Sequence, residues 1–201
     1  MDTEFIFRIS AGLIFLALTV IRIYYTMIVT QLRSSYSISR LGTPRAFLGW
    51  FFYVSILLSA LVYIFVPGWL AWAGLPLPLA LRWLGVVVGI GSVLLLFWVH
   101  RTLGENFAAP GIIQERQTLI TTGPYHWVRH PMYTTFFIIS SSFVLVTANG
   151  FITMLCLLFG ILLPSIIKPE EQTLLQKFAD EYRNYMQHTG RFLPRWGAKD
   201  E

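Results

Sequence analysis

Charge is scarce in this chain. Asp, Glu, Lys and Arg make up 12% of its 201 residues, about half the share of a soluble globular domain. Carboxylates are absent from the interior of every long apolar run, which argues against a proton-coupled pump or an ion transporter. There is a single cysteine, Cys156, and it lies inside an apolar run. It can form no internal disulfide and leaves the redox compartment open. The four histidines show no metal-ligand spacing. His126 and His130 are four apart, but Pro131 argues against a helix running through them, so no metal is expected. No Ser-His-Asp set, internal repeat or low-complexity tract is visible. Gly85-x-x-x-Gly89-x-Gly91 superficially matches a nucleotide fingerprint, yet no strand precedes it and nothing in the chain can build a parallel sheet. Close helix packing through small residues is the better reading.

Apolar sequence is abundant. Hydrophobic residues make up 55% of the chain and the mean hydropathy is +0.61. We expect one all-α integral membrane domain, residues 1–201. Five segments are expected to span a bilayer, each needing about 20 apolar residues: Phe5–Tyr24, Phe47–Val66, Leu79–Val99, Met132–Val146 and Gly150–Ile167. Thr147-Ala148-Asn149-Gly150 is a turn signal, so the last two form a helical hairpin. Asp2 and Glu4 flank the first segment and no small-residue cleavage site follows it, unlike a signal peptide. All but Arg8 and Arg82 of the 15 Lys and Arg fall on one side of this arrangement. The positive-inside rule then places the N-terminus outside and the C-terminus in the cytoplasm. The net charge of +5 is explained by that topology and by attraction to anionic lipid; no nucleic-acid partner is expected.

Two polar clusters bracket the hairpin. Gly123-Pro-Tyr125-His-Trp-Val-Arg129-His130-Pro131-Met132-Tyr133 runs into the fourth span, and Lys168-Pro169-Glu170-Glu171 follows the fifth. Polar groups at both ends of one apolar hairpin mark a site. Pro131 opens a helix whose free N–H groups suit an anion. Beyond Pro169, the residues Leu174, Leu175, Phe178, Tyr182, Tyr185 and Met186 recur at helical spacing, with Lys177, Asp180, Glu181, Arg183 and Asn184 opposite. This predicts an amphipathic helix from about Pro169 to Gln187 at the cytoplasmic surface, stopped by Gly190.

The order Gly123-Pro-Tyr-x-x-Val-Arg-His-Pro-x-Tyr133, an apolar hairpin, Glu170-Glu171-x-x-Leu174, Phe178-Ala-Asp-Glu-Tyr182-x-x-Tyr185 and Phe192-Leu-Pro194 resembles the isoprenylcysteine carboxyl methyltransferase family. The resemblance covers about Leu103 to Pro194. It implies an integral membrane enzyme using S-adenosyl-L-methionine, with three N-terminal spans in residues 1–99 and a cofactor-binding half in residues 100–201. It assigns the cofactor contacts to Gln114, Gln117, Thr118, Leu119, Ile120, Tyr125, His130, Pro131, Met132, Tyr133 and Glu170. The family's prenylcysteine enzymes carry an arginine four residues before the matching glutamate; here that position is Ile166, and Lys168 is no substitute for a bidentate guanidinium.

The implied reaction is methyl transfer to a lipophilic or lipid-modified acceptor drawn from the bilayer. A carboxylate acceptor is already ionised at neutral pH, so Arg129 or Lys168 would only orient it. An amine acceptor, as in the related phospholipid N-methyltransferases, needs a base, for which Glu171 is the candidate. An NADPH-dependent membrane reductase and a non-catalytic scaffold are the competing readings; the first would call for more basic residues than Arg101, Arg116 and Arg129 in the loop before the hairpin.

Overall fold

The computed structural model describes residues 3–32, 44–106 and 118–195. Among them every regular element is helical: α1 (Thr3–Leu32), α2 (Pro44–Phe65), α3 (Leu79–Leu103), α4 (Pro124–Trp127), α5 (Pro131–Thr147) and α6 (Gly150–His188), with 3-10 turns at Pro67–Ala73 and Gly104–Asn106. Four helices, α1, α2, α3 and α6, are long and apolar enough to cross a membrane. The chain is therefore a multi-pass membrane protein. The expected fourth span, α5, is shorter at 17 residues. Pro131 fixes its start, and Ala148 in the left-handed conformation (φ 45°) ends it. It is also rich in hydroxyls, which bond back to carbonyls one turn earlier: Thr135 to Pro131 and Thr147 to Phe143. Such bonds satisfy most of the hydroxyls that α5 brings into the core, although Ser140 Oγ is buried with no hydrogen-bond partner among the described residues.

The turn before α6 is where the sequence places it. Asn149 caps α6 by accepting from the N–H groups of Phe151 and Ile152, the usual reason for asparagine at that position. Its Nδ2 donates to Leu70 O at 2.8 Å, tying the hairpin to the 3-10 turn after α2. The C-terminal part differs from expectation. No break occurs at Pro169; α6 continues through Pro164 and Pro169, and the non-helical residue is Ala179 (φ 44°, ψ −114°). Beyond it Tyr182 and Tyr185 are buried, while Asp180, Glu181 and Arg183 are exposed. The helix ends at His188, just before the expected stop at Gly190.

The core joins α1, α2, α5 and α6 through Phe7, Ala11, Ile14, Ile56, Phe143, Val146, Ile152, Leu155, Phe159 and Leu163. Helix α3 lies against α5 at very close range, as the small-residue reading expects. A Cβ built on Gly85 would lie 2.7 Å from Leu145 Cβ and 2.9 Å from Val146 N, and one on Gly89 would lie 2.6 Å from Ser142 Oγ. Ser142 Oγ donates to Gly85 O at 2.8 Å across the seam. Gly91 meets nothing within 4 Å and plays no part. Gly85→Ala should therefore lower stability in detergent by about 1–3 kcal/mol, because the atoms it meets include backbone that cannot yield. Gly91→Ala should be neutral or stabilising by up to about 1 kcal/mol through helix propensity. Thermal unfolding of the two variants side by side checks the contrast.

The two arginines on the sparsely charged side are explained by helix ends. Arg82 donates to Val146 O near the end of α5, at 2.8 and 3.1 Å, and pairs with Glu4 at 2.7 Å. Tyr63 Oη donates to the same carboxylate at 2.7 Å. Arg8 donates to Ile64 O at the end of α2. Cations at helix C-termini satisfy orphan carbonyls and complement the helix dipole. This cluster ties α1, α2, α3 and α5 together at the end of the bundle remote from the polar motifs.

Candidate functional site

The other end of the bundle carries the polar motifs. Gly123 turns the chain with φ 58°, a conformation costly to any residue with a Cβ. The one-turn helix α4 follows, and then an extended Val128. Val128 pairs with Gly190 in an isolated parallel bridge. Arg129 N donates to Gly190 O at 2.8 Å, and His130 N donates to Arg191 O at 3.1 Å. Thr134 Oγ1 donates to Phe192 O at 2.8 Å. The segment after α6 thus returns and clasps the start of α5.

Glu171 is the hub of this clasp. It is buried, and three cationic or potentially cationic side chains converge on it. His130 Nε2 lies 3.1 Å from Oε1, Arg129 Nε donates to Oε1 at 3.4 Å, and Arg191 donates to both oxygens, through Nε at 3.2 Å and through Nη2. Arg129 also donates to the carbonyls of Met186 and Thr189 near the end of α6. A buried carboxylate is tolerated only with such partners. Both Glu171 oxygens and the Arg129 guanidinium are committed to this assembly.

Glu170, one residue earlier on α6, faces a different group. Tyr133 Oη donates to Glu170 Oε2 at 3.0 Å. Tyr125 stands near the same carboxylate: burial, and then the Glu170 charge, push its phenol above the ordinary range. Tyr185 Oη donates to Tyr125 O at 2.6 Å, anchoring α4 to the end of α6. Tyr182 is fully buried, lies within electrostatic range of Glu170, Glu171 and Arg129, and its hydroxyl has no hydrogen-bond partner among the described residues.

Of the residues singled out from sequence, Tyr125, His130, Tyr133 and Glu170 gather here together with Arg129 and Glu171. Pro131 is buried as the first residue of α5. Met132 sits on the α1 side, 3.2 Å from Arg22 Nη1. Thr118 is pinned to Asn106, whose Oδ1 accepts from Thr118 N at 2.8 Å; Leu119 and Ile120 follow it, half-buried. Lys168 is exposed. Gln114 and Gln117 lie outside the described residues. Sequence reasoning missed Arg191 and Arg22. Arg191 follows the helix stop at Gly190, where no periodicity points to it. No three His, Cys, Asp or Glu side chains among the described residues form a group that could hold a metal ion.

The clasp, the Tyr133–Glu170 pair and the hairpin between them fall largely inside one segment, residues 83–176, which matches the isoprenylcysteine carboxyl methyltransferase (ICMT) family. The chain's likeness to the ICMT family lies in these residues. This stretch is just under half of the sequence and contains α3, α5 and most of α6. Two curated relatives are also similar. The nickel-cobalt-cadmium resistance protein NccN of Alcaligenes xylosoxydans xylosoxydans is 32% identical over 96 residues, 47% of this chain and 45% of the relative. The cobalt-zinc-cadmium resistance protein CzcN of Cupriavidus metallidurans is 29% identical over 151 residues, 73% of this chain and 62% of the relative. The chain thus spans about half to three-fifths of the length of these relatives. The family match points to a membrane methyltransferase.

Proposed function

We propose that this protein transfers a methyl group from S-adenosyl-L-methionine to a lipophilic acceptor drawn from the bilayer, at the cytoplasmic interface. The observation that carries this reading is the Tyr133–Glu170 pair, held at the mouth of α5 within the ICMT-matching region.

The residues present fit the cofactor. Its sulfonium and ammonium groups call for a carboxylate and aromatic faces, and Glu170 stands between Tyr133 and Tyr125. Tyr133 occupies one Glu170 oxygen, leaving Oε1 to accept. The orphan hydroxyl of buried Tyr182 would gain a partner from a ligand or ligand-bound water, since such groups are seldom left unsatisfied. In this reading His130, Pro131, Met132, Thr118, Leu119 and Ile120 form the pocket wall, with Gln114 and Gln117 from the adjoining loop. When bound, S-adenosylmethionine supplies an activated methyl: the acceptor's lone pair forms the new bond to carbon while the carbon–sulfur pair returns to sulfur, leaving S-adenosylhomocysteine.

The chain's own contribution is positioning, a source of large rate gains when two reactants are held in line. Glu171, Arg129 and Arg191 lock the C-terminal segment over the mouth of α5. We assign Arg129 and Glu171 this positioning role, rather than orienting an acceptor or acting as a base, because their charges already face each other. Lys168 remains free to meet an acceptor or a lipid headgroup. A carboxylate acceptor needs no base, which agrees with a site whose buried glutamate is fully taken up. We further read α5 as a fifth crossing made possible by its burial among the other helices, the N-terminus as outside, and the stretch after Ile167 as an amphipathic helix on the cytoplasmic face. The acceptor and membrane lipid are the partners this implies.

Isothermal titration of the detergent-purified protein with S-adenosylhomocysteine, and separately with NADPH, tests the reading. Binding of the first alone is expected. Binding of NADPH alone would transfer the protein to the reductases, and silence from both in folded protein would make it a scaffold.

A further inference from the structure

We infer that the phospholipid bilayer is a structural partner of the candidate site. Trp98 of α3 and Trp127 of α4 form an aromatic foot at the boundary between headgroups and acyl chains, and that foot holds α4, with Tyr125, against α6. The inference goes beyond the methyltransferase reading and leans on it only for the ligand titration below.

Helix α4 lies along the last turn of α3. At its start, a Cβ built on Gly123 would lie 2.8 Å from Thr102 Oγ1. At its end, the rings of Trp127 and Trp98 meet edge to face, with centroids 5.5 Å apart. Thr102 and Trp98 are about one turn of α3 apart, roughly 6 Å along its axis. The short helix therefore runs from the end of α3 back along it, toward the membrane.

Lipid is what covers this pair. Helix α3 is long and apolar enough to cross a membrane, and it turns Gly85, Gly89, Ser92, Leu96 and Val99 inward. Val87, Leu94 and Trp98 are exposed on its other side at helical spacing. Trp98 is 42% exposed and Trp127 49%, so Trp127 continues the outward face of a span. Arg101, in the last turn of α3, is exposed and marks the polar side of the boundary. Trp98 lies about one turn before it. Tryptophan collects at this depth because its ring is apolar while its N–H wants a polar partner.

Other exposed aromatics of the chain sit on spans. Trp127 sits instead on the site segment, two residues after Tyr125. A one-turn helix does not hold itself, and α4 is gripped from both sides. On the protein side Tyr185 Oη donates to Tyr125 O at 2.6 Å, and the Glu170 charge acts on the Tyr125 phenol. On the lipid side the Trp98–Trp127 contact fixes the rotation of α4. Tyr125 can face Glu170 only in the rotation that points Trp127 outward.

Quenching and amide exchange in the ligand-free full chain test this. In nanodiscs, lipid brominated high on the acyl chain should quench the Trp127 signal, taken as wild type minus Trp127→Phe, more than lipid brominated near the chain end. The N–H groups of Tyr125, His126 and Val128 close α4 and report its seating. Moving wild type from amphipol, which offers no headgroup layer, into phosphatidylcholine nanodiscs should slow their exchange about tenfold, the scale of one aromatic contact. Trp127→Gln should abolish that gain, and Trp127→Tyr should keep most of it. A role in internal packing alone would speed exchange equally in both media and leave the gain intact, which overturns the proposal. Absence of quenching overturns it too, since something other than lipid, such as a second copy of the chain, would then cover the pair. S-adenosylhomocysteine should bind wild type more tightly in nanodiscs than in amphipol, and Trp127→Gln equally in both; equal binding by wild type would mean that the foot does not serve the site. Failure of wild type to bind in either medium would instead remove the methyltransferase reading, and quenching and exchange would still decide the foot.

Discussion

Glu171→Ala is expected to be the most damaging single substitution in this chain, and to act on folding rather than on ligand binding alone. The carboxylate is buried, with Arg129, Arg191 and His130 arranged around it. Removing it leaves the Arg129 and Arg191 guanidiniums facing one another without a counter-charge. Breaking a buried pair by deleting one partner costs roughly 3–5 kcal/mol, because the remaining charge is left uncompensated. The loss would propagate through the backbone clasp, since Gly190 and Arg191 bond the N–H groups of Arg129 and His130. Size-exclusion behaviour and thermal unfolding in detergent report this directly. Full stability in Glu171→Ala would mean that the clasp does not hold α5 and α6 together. Arg191→Met offers the complementary reading: it removes one of the cations, keeps much of the aliphatic stem, and should cost less.

Glu170→Ala should behave in the opposite way. Glu170 is half-buried and accepts from Tyr133 alone among the described residues, so folding loses little more than one hydrogen bond, about 1 kcal/mol. Binding of S-adenosylhomocysteine should weaken by about 1.5–3 kcal/mol, the worth of a hydrogen bond to a charged group, or roughly ten- to more than a hundredfold in Kd. Titration calorimetry on protein of verified stability checks it. Wild-type affinity would remove Glu170 from the site. Neighbouring glutamates with divergent outcomes, one structural and one for binding, would separate the two roles that adjacency in sequence merges.

That adjacency shows what could be read before any coordinates. The Glu170-Glu171 pair and the Tyr125–Tyr133 run were legible as one polar cluster because polar residues at the ends of an apolar hairpin are expensive, and the hairpin turn announced itself through Asn149. The small-residue seam was legible too, although Gly91 belongs to the pattern and not to the contact. Helix length was less legible. Pro169 suggested a helix start, yet α6 runs through it, because a proline removes one backbone hydrogen bond without forcing the chain to stop.

The sequence by itself determined that the chain is helical and membrane-embedded and that its motif order resembles the ICMT family, since these follow from hydropathy, turn residues and a motif order that are local properties. Only the tertiary structure decided which glutamate faces which partner. Residues one position apart on a helix point about 100° apart, so Glu170 meets Tyr133 while Glu171 meets His130, Arg129 and Arg191. Arg191 and Arg22 entered the picture for the same reason. Each is brought to the hairpin mouth by a segment far away in sequence, and only through-space packing makes them neighbours.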